Sequence, residues 1–162
     1  MNSYYDGKKI HIDLHGEINY QSCNYDCWVK YDAWGCPIEF NLERMGDFNS
    51  FFGNSRVDER RWNFTSYNSD NVAQPIYMPY CSSFSGTFLG SNVSRIIIDN
   101  TNCASITNLL SDSDNVYDFK IIDSINDKPL SNVVKAGRAF TRCRHGINSL
   151  RDKLKKECID TN

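Results

Sequence analysis

The chain has 162 residues, of which 40% are apolar, with 18 Lys and Arg against 20 Asp and Glu. Its 21 aromatic residues and near-zero net charge exclude intrinsic disorder, because the chain has enough apolar surface to collapse into one folded domain. The longest aliphatic run, residues 96–98, is far below the roughly 18 residues that a membrane-spanning helix needs, so the sequence predicts no membrane protein.

Residues 1–9 show no basic head followed by an apolar segment, so we expect no secretory signal and a cytoplasmic location. The 7 cysteines are an odd number and too sparse for a disulfide scaffold, which favours reduced and mostly buried thiols. The proximity of Cys23, Cys27 and Cys36 leaves a secreted, disulfide-stapled protein as an alternative.

Two β-hairpins are predicted near the N-terminus. Residues 9–14 alternate polar and apolar side chains with period two, and the turn at 15–17 precedes a second extended segment at 18–20. Residues 27–32 and 37–42 flank Gly35, which can adopt a positive φ in a hairpin turn.

Further extended segments are predicted at 61–67, 84–89, 93–99 and 116–122. The stretch 46–55 is expected to form a loop or a short helix, and 104–110 a short helix. No period of 20 to 50 residues is recognisable and no Pro/Gly/Ser linker divides the chain, so we expect no repeats.

The C-terminal region has the strongest helical pattern. From Ser131 onward, apolar residues recur at spacings of three and four, which places them on one face of a helix: Val133, Ala136, Phe140, Cys143, Ile147, Leu150, Leu154 and Cys158. The sequence therefore predicts an α+β fold in one domain, 1–162. A β-rich body at 1–130 would hold a mainly antiparallel sheet of about five to seven strands with an N-terminal meander, covered by a long amphipathic helix at 131–158.

Charge is divided unevenly along the chain. Residues 1–130 carry 10 basic and 17 acidic side chains, whereas residues 131–162 carry 8 basic and 3 acidic ones. On the predicted helix, one basic face lies opposite the apolar stripe: Lys135, Arg138, Arg142, His145, Lys153 and Lys156. This face is either simply solvated or meets an acidic partner. Direct nucleic-acid binding is not expected, because the acidic body would repel a phosphate backbone.

The search for catalytic residues favours a protein that is not an enzyme. Glycine-rich phosphate-binding motifs are absent, and Cys143 and His145 would point away from each other on a helix. His11, His15, Cys23 and Cys27 lack the usual zinc-ligand spacing, so we expect no metal and no cofactor. The alternative enzyme is a small metal-independent hydrolase or nuclease that uses His11, His15 or His145 with Lys135.

Our leading hypothesis is a small protein-binding inhibitor, such as an immunity protein or antitoxin that occludes the basic active site of a toxin or nuclease. The acidic body with interleaved aromatic residues supports it, and the partner-binding candidates are Asp6, Asp13, Tyr25, Asp26, Trp28, Asp32, Trp34 and Glu39. If the chain is instead secreted, exposed Trp28 and Trp34 would serve a β-rich module that binds carbohydrate or protein.

Overall fold

The computed structural model describes residues 2–5, 9–13, 27–32, 36–53, 61–113, 115–143, 151–152 and 154. Within these residues the chain forms ten strands in three sheets.

The first sheet is antiparallel and has the strand order β1-β2-β3-β4. Its strands are β1 (Asn2–Tyr5), β2 (Lys9–Asp13), β3 (Trp28–Asp32) and β4 (Pro37–Asn41). The predicted strand at 9–14 and the hairpin of 27–32 with 37–42 are therefore confirmed, whereas residues 18–20 lie outside the described residues. Val29 is buried and Phe40 packs against the core, which attaches this sheet to the rest of the molecule.

The second sheet is parallel, so the prediction of a mainly antiparallel sheet is wrong for this half of the fold. It consists of β5 (Trp62–Phe64), β8 (Ile76–Tyr77), β9 (Val93–Asp99) and β10 (Asp118–Ile122). The central strand β9 pairs with β10 on one side and with both β5 and β8 on the other. A small hairpin, β6 (Ser66–Tyr67) and β7 (Ala73–Gln74), is inserted between β5 and β8. The strands predicted at 93–99 and 116–122 are confirmed.

The segments that follow the strands stack on one another as successive coils. We define coil 1 as residues 36–53, coil 2 as 62–91, coil 3 as 93–113 and coil 4 as 116–143. The backbone N–H of Phe48 donates to Ser83 (3.0 Å), that of Phe84 to Ser105 (2.9 Å) and that of Ile106 to Lys135 (2.8 Å). These hydrogen bonds join each coil to the next, as in a solenoid, where each repeat contacts its neighbours. The expectation of no repeats is therefore wrong.

Coils 2 and 3 each contain two consecutive tight turns that bend the chain. In coil 2 these turns place Gly86 and Gly90 at φ +66° and +63°, and in coil 3 they place Asn108 and Asp112 at +56° and +62°. The N–H that directly follows two of these positions closes the turn: Ser91 donates to Phe88 O and Ser113 to Leu110 O. A positive φ at the third residue of a tight turn favours Gly, Asn and Asp.

The core is formed by inward-pointing side chains that stack from coil to coil. One column contains Phe48, Phe84, Ile106 and Ala136, and a second contains Phe52, Phe88, Leu110 and Phe140; all eight are buried. The rings of Phe52 and Phe88 are stacked with centroids 5.9 Å apart. Burial of these large apolar groups is the main stabilising contribution to the stack.

The predicted covering helix at 131–158 is wrong. Residues 131–143 form turns and an isolated bridge in coil 4, and only Arg151, Asp152 and Leu154 of the described residues are helical. The short helix at 104–110 is also replaced by turns, as is the strand at 84–89. In each case, coil-to-coil backbone hydrogen bonds take the place of the expected helix or strand pairing.

The described residues that follow coil 4 in the sequence contact coil 4 and the core. The Arg151 guanidinium donates to the carbonyls of Phe140 (2.8 Å) and Cys143 (3.2 Å), and Leu154 is fully buried in the core. Among the described residues there is no helix with the length and apolar character needed to cross a membrane.

Candidate functional site

The outward side of the parallel sheet, with the hairpin beside it, carries a group of exposed and half-buried side chains, which we call the tyrosine face: Asn63, Tyr67, Tyr77, Arg95, Tyr117, Asp118, Lys120 and Ile122. Strand register aligns Asn63, Arg95 and Asp118 in one row across the sheet. Tyr77, Asp99 and Ile122 form a second row. The two rows define a surface of about 10 by 13 Å, to which the flanking tyrosines add.

Large side chains of the tyrosine face are accessible to a partner. Tyr67 is 47% exposed, Tyr77 42%, Tyr117 55% and Ile122 39%. The sequence neighbours of Tyr77 and Ile122 on the same strands, Ile76 and Ile121, are buried. Alternation along β8 and β10 therefore leaves Tyr77 and Ile122 outside the core, whereas Tyr67 lies in the inserted hairpin and Tyr117 directly before β10.

The charged centre of the tyrosine face is held in place. Arg95 Nε lies 2.9 Å from Asp118 Oδ2, and Asn63 Nδ2 donates to the Tyr67 hydroxyl over 3.2 Å. Desolvation lowers the pKa of Arg95, but Asp118 together with the nearby Tyr67 and Tyr117 raises it by more, so the guanidinium stays charged. A fixed guanidinium bordered by tyrosines can donate hydrogen bonds to carbonyl or carboxylate oxygens and stack on planar groups.

A second polar surface follows the stacked turns, and we call it the hydroxyl ladder: Asn49, Ser83, Ser85, Ser105 and Thr107. Ser83 Oγ donates to Asn49 Oδ1 over 2.6 Å, and Ser85 Oγ lies 3.1 Å from Ser83 Oγ and 2.7 Å from Ser105 Oγ. These hydroxyls form the floor of a shallow groove of about 750 Å³ that Lys135 also lines. Because the hydroxyls bond mainly to one another, the ladder links coils 1 to 3.

The structure places part of the predicted acidic and aromatic surface on the antiparallel sheet. Asp13 lies opposite Trp28 in register, and Asp32 opposite Lys9. Glu39 is exposed and its carboxylate lies 3.4 Å from Lys30 Nζ, so this acid has a cation beside it. The other candidates lie outside the described residues: Asp6, Tyr25, Asp26 and Trp34.

The predicted basic helix face is wrong, because residues 131–143 are not helical. Lys135 lines the groove of the hydroxyl ladder, whereas Arg138 and Arg142 line a separate groove. The two grooves adjoin, since Leu89 and Asn108 line both of them. The three remaining members of the face lie outside the described residues: His145, Lys153 and Lys156.

The histidine candidates are not brought together by the described part of the fold. His11 lies opposite Tyr4 and Lys30 in the antiparallel sheet, whereas His15 and His145 fall outside the described ranges. Among the described residues no group of three His, Cys, Asp or Glu side chains could hold a metal ion. Cys81 and Cys103 are buried thiols that donate to the carbonyls of Ser83 and Ser105, and burial raises the pKa of both.

Sequence reasoning missed the tyrosine face. Tyr77, Arg95 and Ile122 come from three different strands and lie far apart in the sequence. Only the parallel register brings them together, and period-two alternation in 93–99 and 116–122 was the one available signal.

Comparison of the chain with protein-family models, with curated proteins and with solved structures finds no match.

Proposed function

We propose that the chain is a protein-binding module and that the tyrosine face contacts the partner. The observation that carries this proposal is the exposure of Tyr67, Tyr77 and Tyr117 around the Arg95–Asp118 ion pair. Tyrosine and arginine are the residue types that dominate binding energy at protein interfaces, because they combine large apolar area with polar groups.

The geometry of the face favours a polypeptide over a small molecule. The side chains lie on a sheet surface rather than in a deep cavity, whereas small ligands are usually bound in concave pockets. The face also offers both signs of charge, with Arg95 and Lys120 beside Asp118, which suits the mixed polar groups of a protein surface.

The inhibitor hypothesis is a finer form of the protein-binding proposal that uses a different contact surface. In it, the partner is a toxin or nuclease whose basic active site meets the acidic residues of the N-terminal sheet, among them Asp32 and Glu39. A cytoplasmic location is proposed with it, and the buried thiols of Cys81 and Cys103, in neighbouring coils, support a reducing compartment.

The proposal is tested by native mass spectrometry of the untagged protein purified from its own cells. We expect a complex with a second chain. In the double variant Tyr77→Ser/Tyr117→Ser, truncation of two interface tyrosines should weaken the complex at least tenfold. A matched control is Tyr80→Ser, because Tyr80 is 60% exposed but is not aligned with either row of the sheet.

Three results would contradict the proposal. One is a chain that is isolated alone at every concentration tested. Another is a complex that the double variant and the Tyr80→Ser control weaken equally. If charge reversal at Asp32 and Glu39 abolishes a complex that the tyrosine variants leave intact, the partner binds the antiparallel sheet and the tyrosine face is not the site.

A further inference from the structure

Three arginines of the last coil and the segment after it line one groove. This groove has a volume of about 730 Å³ and is lined by residues from both turns of coils 3 and 4. Its charged lining consists of Arg138, Arg142, Arg151 and Asp112, so the described lining has an excess of two positive charges. None of these residues belongs to the tyrosine face.

Two of the three guanidinium groups are held in position by the fold. Arg142 Nε lies 2.5 Å from Asp112 Oδ1, and its Nη2 donates to Oδ2 over 3.1 Å, so the ion pair uses two of the donors. Arg151 donates through Nη2 to two backbone carbonyls and lies 5.9 Å from the centroid of the Phe140 ring. A guanidinium has five N–H donors, so both side chains retain donors for a ligand.

Arg138 and Arg142 occupy backbone positions that suit other residue types. Their φ values are +58° and +57°. The stacking pattern aligns them with Gly86 and Gly90 in coil 2 and with Asn108 and Asp112 in coil 3. Left-handed backbone is unfavourable for arginine, so the two guanidiniums are kept at a cost to folding, and residues held at such a cost are found at ligand-binding sites.

Coils 2 and 4 differ in the partners that their corresponding backbone N–H groups have among the described residues. In coil 2 the N–H groups of Gly86, Phe88 and Gly90 donate to coil 3. The equivalent groups in coil 4 belong to Arg138, Phe140 and Arg142, and within the described ranges no acceptor is found for them. Guanidinium groups gathered in one groove form the kind of environment that binds anions.

From these observations we propose that the groove lined by Arg138, Arg142 and Arg151 binds a small oxyanion of the phosphate class. Arg138 would contact the ligand directly. Arg142 and Arg151, fixed by Asp112 and by the Phe140 and Cys143 carbonyls, would supply donors already in position, which lowers the entropic cost of binding.

The test is isothermal titration calorimetry of the full chain with inorganic pyrophosphate at low salt, with inorganic phosphate and citrate as comparison ligands. We expect pyrophosphate to bind more tightly than phosphate, since it can span two guanidiniums, and more tightly than citrate. Arg138→Gly should weaken pyrophosphate binding at least tenfold, the loss of one charge-assisted hydrogen bond. Its thermal midpoint should be no lower than that of the wild type, because glycine suits a positive φ.

Lys135→Gln is the matched control, because Lys135 is an exposed cation of the same coil that lines the other groove. It should change pyrophosphate affinity less than twofold. Equal losses in the two variants would show general charge attraction and overturn the site. Absence of pyrophosphate binding to the wild-type chain would also overturn it, and citrate binding as tight as pyrophosphate would overturn the assignment to phosphate.

Discussion

Asn100 joins coils 2 and 3, and replacing it should destabilise the fold strongly. Its side chain is buried and makes three hydrogen bonds of 2.8 Å. Nδ2 donates to the carbonyls of Met78 and Cys81, and Oδ1 accepts from the N–H of Cys103. In coil 4 the corresponding turn is closed by backbone alone, from Val133 N to Leu130 O.

Asn100→Ala removes the side-chain amide that bonds the Cys103 N–H and the Cys81 carbonyl, and so leaves both groups without that hydrogen bond inside the protein. Met78 O keeps a longer 3.4 Å bond from Cys81 N. A buried polar group left unsatisfied costs about 1–3 kcal/mol, so two such groups predict a loss of roughly 4 kcal/mol in the free energy of unfolding. At about 2–4 °C per kcal/mol for a chain of this size, the melting temperature should fall by roughly 8–16 °C.

The assay is urea unfolding followed by circular dichroism, with thermal melts beside it. The control is Asn132→Ala, because Asn132 is exposed and its Nδ2 makes a single 3.2 Å bond to Thr101 O. This control should change stability by no more than about 0.5 kcal/mol. A loss below about 1 kcal/mol for Asn100→Ala, or one equal to that of the control, would refute the reasoning.

Three further predictions concern stability. Arg138→Gly should raise the free energy of unfolding by about 0.5–1 kcal/mol in urea, since relief of the left-handed backbone outweighs the added unfolded-state entropy of glycine; a decrease would contradict this. Phe88→Ala should cost about 3–5 kcal/mol and Phe88→Leu less, because the alanine leaves a cavity beside Phe52; equal losses would argue against close packing there. Burial raises the pKa of Cys103 from 9.0 to about 12, so above pH 9 the unfolded chain releases a proton that the folded chain keeps. Stability should therefore fall by up to about 1.4 kcal/mol per pH unit for this thiol as the pH rises towards 12, and Cys103→Ala should lose this part of the slope while the buried thiol of Cys81 keeps its own.

The strands were predictable where β-branched and aromatic residues are concentrated. Residues 93–99 form a strand with the bounds that the sequence indicates, and the hairpin of β3 and β4 follows from its alternation and the glycine between them. Strand direction was not predictable, because a run such as 96–98 fits a buried strand in either kind of sheet.

The C-terminal helix was predicted wrongly because stacked turns imitate the spacing of a helix. Buried residues recur in coil 4 at intervals of three and four, as on a helix face: Val133, Ala136, Phe140 and Cys143. Here, however, successive tight turns and not a helix bring each of these side chains into the core. In coils 2 and 3 these turns are marked by residues that tolerate a positive φ, and the marking residues stand four positions apart. In coil 4 the same positions hold arginines, which are good helix formers, and the signal is lost.

Insertions also hide the repeat from a search for a fixed period. Hydrogen-bonded register aligns Phe84 with Ile106 and Ile106 with Ala136, and the second of these two steps is the longer one along the chain. Likewise, β5 and β8 both pair with β9, but β5 lies further from it in the sequence, because the β6–β7 hairpin is inserted between them. The tyrosine face depends on these unequal steps, so no residue in it could be assigned to a common surface from the sequence.

Coil 3 carries no inserted hairpin such as the β6–β7 hairpin of coil 2, and both of its neighbours meet it through backbone hydrogen bonds. Its strand pairs with that of coil 4 in unbroken register, from Arg95 with Asp118 to Asp99 with Ile122. A gene segment encoding one such unit could therefore be duplicated or lost while the two ends of the stack keep their own contacts. Molecular length, and with it the number of side chains displayed along the sheet, is then a property that evolution or an engineer can change one unit at a time.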